Sequence, residues 1–295
     1  MGLLDKFSRI EVDTDTRISE VDRNVCQAHQ KAYENAKETF TYLYEQWEVF
    51  VNEQQEIMSK TTDDSYVMER YYRLDGISAK ALSNKIEALH QIFVTSIVQY
   101  FNEKYHVSVS YDEIRKVFIP SAPEYSWEKS RAEEYHNKMQ TMILRYEDIL
   151  EQIFVQLGGR TFEERALDEL KAKCHDFSWN LSRKKPEYIV RGDTIQFDGY
   201  ACYCEDWCRR TVWKIHDGMK NVLKALAHFE TQQLDYLPKD IAFLVGYDDK
   251  CSSSYEFEYE KVKKIRMFKN HRVDIKFASK ELANQFAETY LGLVA

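Results

Sequence analysis

Glycine and proline are scarce in this chain: nine and four in 295 residues. A phosphate-binding loop or a dinucleotide fingerprint needs glycines clustered where the backbone wraps a phosphate. No G-x-x-x-x-G-K run and no G-x-G-x-x-G run is present. A G-x-S-x-G turn, which would expose a nucleophilic serine, is also missing. Long apolar runs are lacking too. The charge-free stretch Gln91–Asn102 falls well short of the ~20 apolar residues a membrane-spanning helix needs. Met1–Phe7 lacks the basic start and apolar run of a secretory signal. The expectation is therefore a soluble intracellular protein whose six cysteines stay reduced.

What is there favours packing and surface contact. Hydrophobic residues make up 44% and charged residues 31%, a globular balance. Aromatics are plentiful, with 20 Tyr, 16 Phe and 5 Trp. They either fill helix seams or anchor interfaces. The formal charge of −8 is unlike that of a general nucleic-acid binder, which carries a basic surplus. Its distribution is uneven: residues 1–60 hold seven Lys/Arg against twelve Asp/Glu, whereas 261–280 hold eight against a single Asp. Such asymmetry steers partners or joins copies of a chain.

Hydrophobic periodicity predicts one long helix over 17–58, with Val21, Val25, Ala28, Ala32, Ala36, Phe40, Leu43 and Trp47 near three-and-four spacing. Tyr42 and Tyr44 on that helix lie about 200° apart, so one of them faces outward. A polar loop follows at 59–66. Ser78 then caps a helix carrying Leu82, Ile86, Leu89, Phe93, Ile97 and Tyr100. Ile119–Pro123 breaks helix and marks a hinge or seam. A third long helix is expected from Ser126 to Gly158, striped by Tyr135, Met139, Met142 or Ile143, Tyr146, Ile149 or Leu150, Ile153 and Leu157. Thr161 and Glu164 form a capping box for a shorter helix reaching about Cys174.

After Pro186 the period changes. Tyr188–Arg191 and Thr194–Phe197 read as a hairpin around Gly192-Asp193. A helix is expected with Trp207, Thr211, Ile215, Met219, Val222, Leu226 and Phe229 on one face. Tyr255–Tyr259 alternates as a strand. Ile265–Phe268 and Val273–Phe277 flank a turn, and Ser279 opens a last helix. The fold class is thus mainly α with an α+β C-terminal module: a long-helix region 1–120, a helical connector 121–185 and an α+β domain 186–295.

Few residues group as chemistry requires. Cys202, Cys204 and Cys208 with His216 offer thiolate and imidazole ligands for zinc, but the C-x-C-x(3)-C spacing departs from paired knuckles. On a strand, Cys202 and Cys204 share a face and serve equally well as small core residues. Adjacent acids such as Glu133-Glu134, Glu163-Glu164 and Asp248-Asp249 read as solvated surface, since acid–base work needs carboxylates that converge. The basic strip, with Lys263, Lys264, Arg266, Lys269 and Arg272, suits an acidic protein surface or, secondarily, phosphates. The candidate contact residues are these five together with Tyr42, Tyr44 and Trp47.

Val262–Phe286, together with Trp213–Lys220, is similar to an uncharacterised C-terminal domain of plasmid and phage proteins, some of which sit with methyltransferases. The whole chain, in its size and its helical-then-α+β organisation, resembles the phage-encoded inhibitors of the bacterial Gabija defence system. That resemblance implies a non-enzymatic immune-evasion protein in the host bacterial cytoplasm. It implies a homo-oligomer that encloses a nuclease–helicase-like complex and blocks its access to DNA, with no cofactor, no metal and no membrane. The competing readings are a nucleic-acid-binding or DNA-modification accessory domain using the basic hairpin, and a zinc-stabilised scaffold.

Overall fold

A computed structural model describes residues 17–60, 78–122, 129–180, 185–207, 210–246 and 252–292. The chain is mainly helical, with an α+β C-terminal module. It divides into two compact units: one holds the described residues up to Lys104 with 109–159, the other 105–108 with those from Arg160 onward. Positions 120 and 185, where composition suggested boundaries, lie inside the first and second unit respectively.

The first unit is built on α1 (Glu20–Ser59) and α2 (Ala79–Tyr105), with α3 (Tyr111–Phe118), α4 (Lys129–Thr141) and α5 (Tyr146–Leu157). Ser19 caps α1 in a box with Asp22. The Asp22 carboxylate is fully buried, accepts the Tyr100 hydroxyl at 2.8 Å and pairs with Lys104. A buried charge is tolerable only when partnered in this way. The core gathers Phe93, Ile97 and Phe101 of α2, Ile114 of α3, and Ile149 and Ile153 of α5. The α1 face that joins it is rotated from the expected stripe: Cys26 and Tyr33 are buried, whereas Val21 and Leu43 lie exposed. Tyr33 stacks on Phe93 at 4.5 Å, and a large ring there outweighs the small Ala32 and Ala36 that the spacing favoured.

The expected third long helix is two helices. Residues 142–145 are non-helical because α1 takes their backbone groups. Gln30 donates from Nε2 to the Leu144 carbonyl at 3.0 Å and accepts the Tyr146 amide at 2.9 Å; the Tyr33 hydroxyl accepts the Leu144 amide at 3.3 Å. Apolar spacing carries across the break, so periodicity alone reads as continuous. Gly158, at φ 66°, ends α5 as anticipated. Ser126 and Pro123 lie outside the described residues, as does most of the 59–66 loop.

The second unit opens with α6 (Phe162–Ser178), whose Thr161–Glu164 capping box forms. A two-residue ladder, β1 (Trp179–Asn180) with β2 (Lys185–Pro186), follows. Then come β3 (Tyr188–Arg191), β4 (Thr194–Phe197), β5 (Cys202–Trp207) and β6 (Arg210–Ile215). Trp207, Thr211 and Ile215 are therefore strand residues and not part of the predicted helix. The run is rich in β-branched and aromatic residues, and β5 pairs antiparallel with β6 from Cys202↔Ile215 to Trp207↔Arg210. Helix α7 (Asp217–Thr231) starts only after His216, whose Nδ1 accepts the Gly218 amide at 3.1 Å. After it come α8 (Lys239–Gly246), β7 (Ser254–Glu256), β8 (Val262–Met267), β9 (Val273–Phe277) and α9 (Lys280–Phe286), the last running into a π turn, Ala287–Leu291. The strand expected over 255–259 stops at Glu256, where Phe257 turns into the core and stacks on Tyr259 at 5.0 Å.

Five antiparallel strands form one sheet in the order β3-β4-β9-β8-β7. One face carries Ile195, Phe197, Ile265, Val273, Ile275 and Phe277 into a core shared with α7 and α9. The opposite face is polar, as the alternation of β8 and β9 dictates.

Candidate protein-docking surfaces

After Tyr33, α1 buries nothing. From Glu34 to Ser59 each side chain is exposed or half-covered, over roughly 39 Å of helix at 1.5 Å per residue. A stripe of half-covered residues, Phe40, Tyr44, Trp47 and Val51, runs along it. Trp47 packs on Phe50 at 5.5 Å. The two tyrosines part as their spacing requires. Tyr44 turns toward α4: its hydroxyl donates to Glu48 at 3.1 Å and accepts from His136 Nε2 at 3.2 Å, while Ser83 Oγ donates to His136 Nδ1 at 2.8 Å. Burial and the Glu48 carboxylate push the Tyr44 phenol upward in pKa. Tyr42 points the other way and is 58% exposed.

Beside Tyr42 lies a trough of about 540 Å³, lined by Tyr33, Lys37, Thr41, Tyr42 and Ile143 with Glu34, Glu38 and Glu45. Lys37 is half-buried, and that burial lowers its ammonium pKa. Of these lining residues the sequence marked Tyr42 as a contact candidate and Ile143 only as an alternative to Met142 in a helix core stripe. Glu34, Glu38 and Glu45 share one helix face by their spacing. Ile143 is 65% exposed and does not join the core stripe, because residues 142–145 form the break that α1 imposes.

The basic strip of the second unit is laid out in cross-strand rows on the open sheet face. Arg191, Thr194, Lys276, Lys264 and Glu256 form one row; Ile189, Gln196, Asp274, Arg266 and Ser254 form the next. Lys264 and Arg266 lie there as the hairpin reading implied. Lys263 sits beside them at a register shift in β8 and donates to the Tyr259 carbonyl. Lys269 is exposed in the turn. The Arg272 and Arg266 guanidiniums lie 4.1 and 4.9 Å from the Phe268 ring centre, within cation–π range. Carboxylates thread this face: Lys264 pairs with Glu256 at 2.8 Å, Lys276 with Asp193 at 3.5 Å and Arg272 Nε with Asp274 at 3.0 Å. Asp274 titrates higher than usual because burial outweighs the arginine beside it. Arg191, Asp193 and Glu256 lie outside the basic stretch 261–280 in sequence, and only sheet order sets them beside it.

Cys202, Cys204 and His216 do not converge. Cys202 is buried with its thiol 3.5 Å from the Arg272 carbonyl, Cys204 packs on the core, and His216 caps α7 between the rings of Phe177 and Tyr203. Cys208 lies outside the described residues. Among the described residues no His, Cys, Asp and Glu group is arranged to hold a metal, and no helix is long and apolar enough to cross a membrane. No family model, curated protein or solved structure matches the chain.

Proposed function

We propose that this protein is a non-enzymatic binder that works by covering a macromolecular partner. The observation that carries the reading is the distal run of α1, which buries no residue from Glu34 to Ser59 and turns Tyr42 outward. A helix whose own fold does not need a face has that face free for an interface, and aromatic anchors dominate interface energies. The resemblance to Gabija inhibitors narrows the proposal. The partner is then a bacterial nuclease–helicase-like defence complex in the host cytoplasm, enclosed by a homo-oligomer and kept from DNA.

The test is reconstitution with the purified Gabija complex, scored by native mass measurement and DNA cleavage. The expected result is a co-assembly with cleavage suppressed, and Tyr42→Ala weakening assembly about tenfold or more without unfolding the protein. Undiminished cleavage at a molar excess of the inhibitor, with no co-assembly, would sink the reading. Nucleic-acid binding by the sheet face is the weaker reading, because Glu256, Asp193 and Asp274 already neutralise cations that phosphates would need.

A further inference from the structure

We propose that the trough beside Tyr42 seats a basic amphipathic helix of the protein partner, an inference that rests on the binder reading and gives it a site. Glu34, Glu38, Thr41 and Glu45 recur at the spacing of one α1 face and line the trough. Tyr42 and Ile143, 58% and 65% exposed, supply apolar surface at its rim, and the buried Tyr33 lies at its base. An apolar contact flanked by three carboxylates matches a helix with one apolar stripe and Lys or Arg on either side. Lys or Arg brought over the Tyr42 ring gains a cation–π contact as well.

Backbone accounting selects a helix over an extended segment. Every α1 carbonyl and amide in this region is committed to the helix ladder. An extended peptide would find no main-chain partners there and would desolvate its own polar backbone. A helix arrives with its backbone satisfied and packs side chain against side chain. Lys37 adds a restriction. It lines the trough half-buried and makes no hydrogen bond or ion pair among the described residues. A uniformly cationic strip would confront it, so the seated helix must present an acceptor at that point, as the free carbonyls of a helix C-terminus do.

The test uses the full chain and two labelled 18-residue synthetic helices, one with a leucine stripe flanked by Lys and Arg, the other with those cations replaced by Glu. Fluorescence anisotropy reads their binding. The expected result is that only the basic helix binds, and that Tyr42→Ala and the pair Glu38→Lys/Glu45→Lys each weaken it about tenfold or more. Glu53→Lys/Glu56→Lys carries the same charge change on the same helix beyond the trough and is expected to cost no more than about twofold. Thermal melts confirm that each variant is folded, and Ile143→Glu gives a second probe at the lining residue outside α1. Equal binding of the acidic helix overturns the inference. So does an equal loss in the Glu53/Glu56 variant. Should the defence complex co-assemble while peptide binding ignores Tyr42 and Glu45, only the trough inference falls. Should the peptides bind as expected while no complex forms, the partner assignment falls instead.

Discussion

At the scale of single residues, His90 is held from both sides of its ring. It is fully buried, and both ring nitrogens are used. Nε2 lies 2.8 Å from the Met139 carbonyl, which only accepts, so the proton sits on Nε2. Nδ1 is then an acceptor for the Tyr33 hydroxyl at 2.8 Å, and that hydroxyl in turn accepts the Leu144 amide. A second proton on the ring would turn the Nδ1 acceptor into a donor facing a donor. Burial holds the imidazole pKa below its usual value; the Met139 hydrogen bond and Glu87 oppose that shift, and Lys37 reinforces it. His228 in the second unit is shifted the same way, by burial and then by Lys171 and Lys261. Unfolded, both take up protons as the pH falls through about 6.5; folded, they do so only at lower pH. Stability is therefore flat above about 6.5 and falls below it, down to the folded pKa values. Urea unfolding between pH 8 and pH 5 should show this slope. His90→Gln should lose part of it and cost about 1–3 kcal/mol at neutral pH, by orphaning the Tyr33 hydroxyl. An unchanged slope in the variant would remove His90 from the explanation. Neither Tyr33 nor His90 stood out in the sequence, because their partners are 57 positions apart.

At the scale of elements, the joint between α1 and α5 shows how one helix ends another. Arg145, the residue before α5, makes no side-chain cap. Gln30 of α1 replaces it, binding the Tyr146 amide with one end of its carboxamide and the Leu144 carbonyl with the other. Helix termini leave such groups unsatisfied, and here a tertiary contact satisfies them. Gln30→Ala should destabilise the protein by about 1–3 kcal/mol, measured by chemical denaturation, whereas Gln30→Glu keeps the acceptor and loses only the donor. If both variants match the parent, the joint is held by packing alone. The caps that did show in sequence are local ones. Ser78, Thr161 and Ser279 each accept an amide three residues on, so neighbouring letters suffice to find them. Gln30 escapes such a reading because it lies 114 residues from Leu144.

At the scale of the molecule, the second unit contains a core of its own. Its buried residues run from Cys174 to Leu291 and include both sheet and helix faces. A fragment spanning 160–295 should therefore fold alone, giving a cooperative thermal transition and a mixed helix–strand circular dichroism spectrum. A featureless melt of that fragment would show that it depends on the rest of the chain. The open sheet face belongs to this scale too. Strand order brings Arg191 beside Thr194, Lys276, Lys264 and Glu256, residues drawn from four separate stretches of sequence.

Periodicity by itself determined the long first helix, the hairpin at Gly192-Asp193, the helical start and α+β end of the chain, and the divergence of Tyr42 from Tyr44. Each of these depends on residues within a few positions of one another, where backbone geometry fixes who shares a face. Tertiary structure decided which tyrosine faces outward, where the third helix breaks, that the segment after Ala201 forms a ribbon, and that the basic strip is threaded with carboxylates. Those outcomes turn on side chains far apart in sequence competing for the same backbone groups and the same apolar surface, and only the folded chain brings them together.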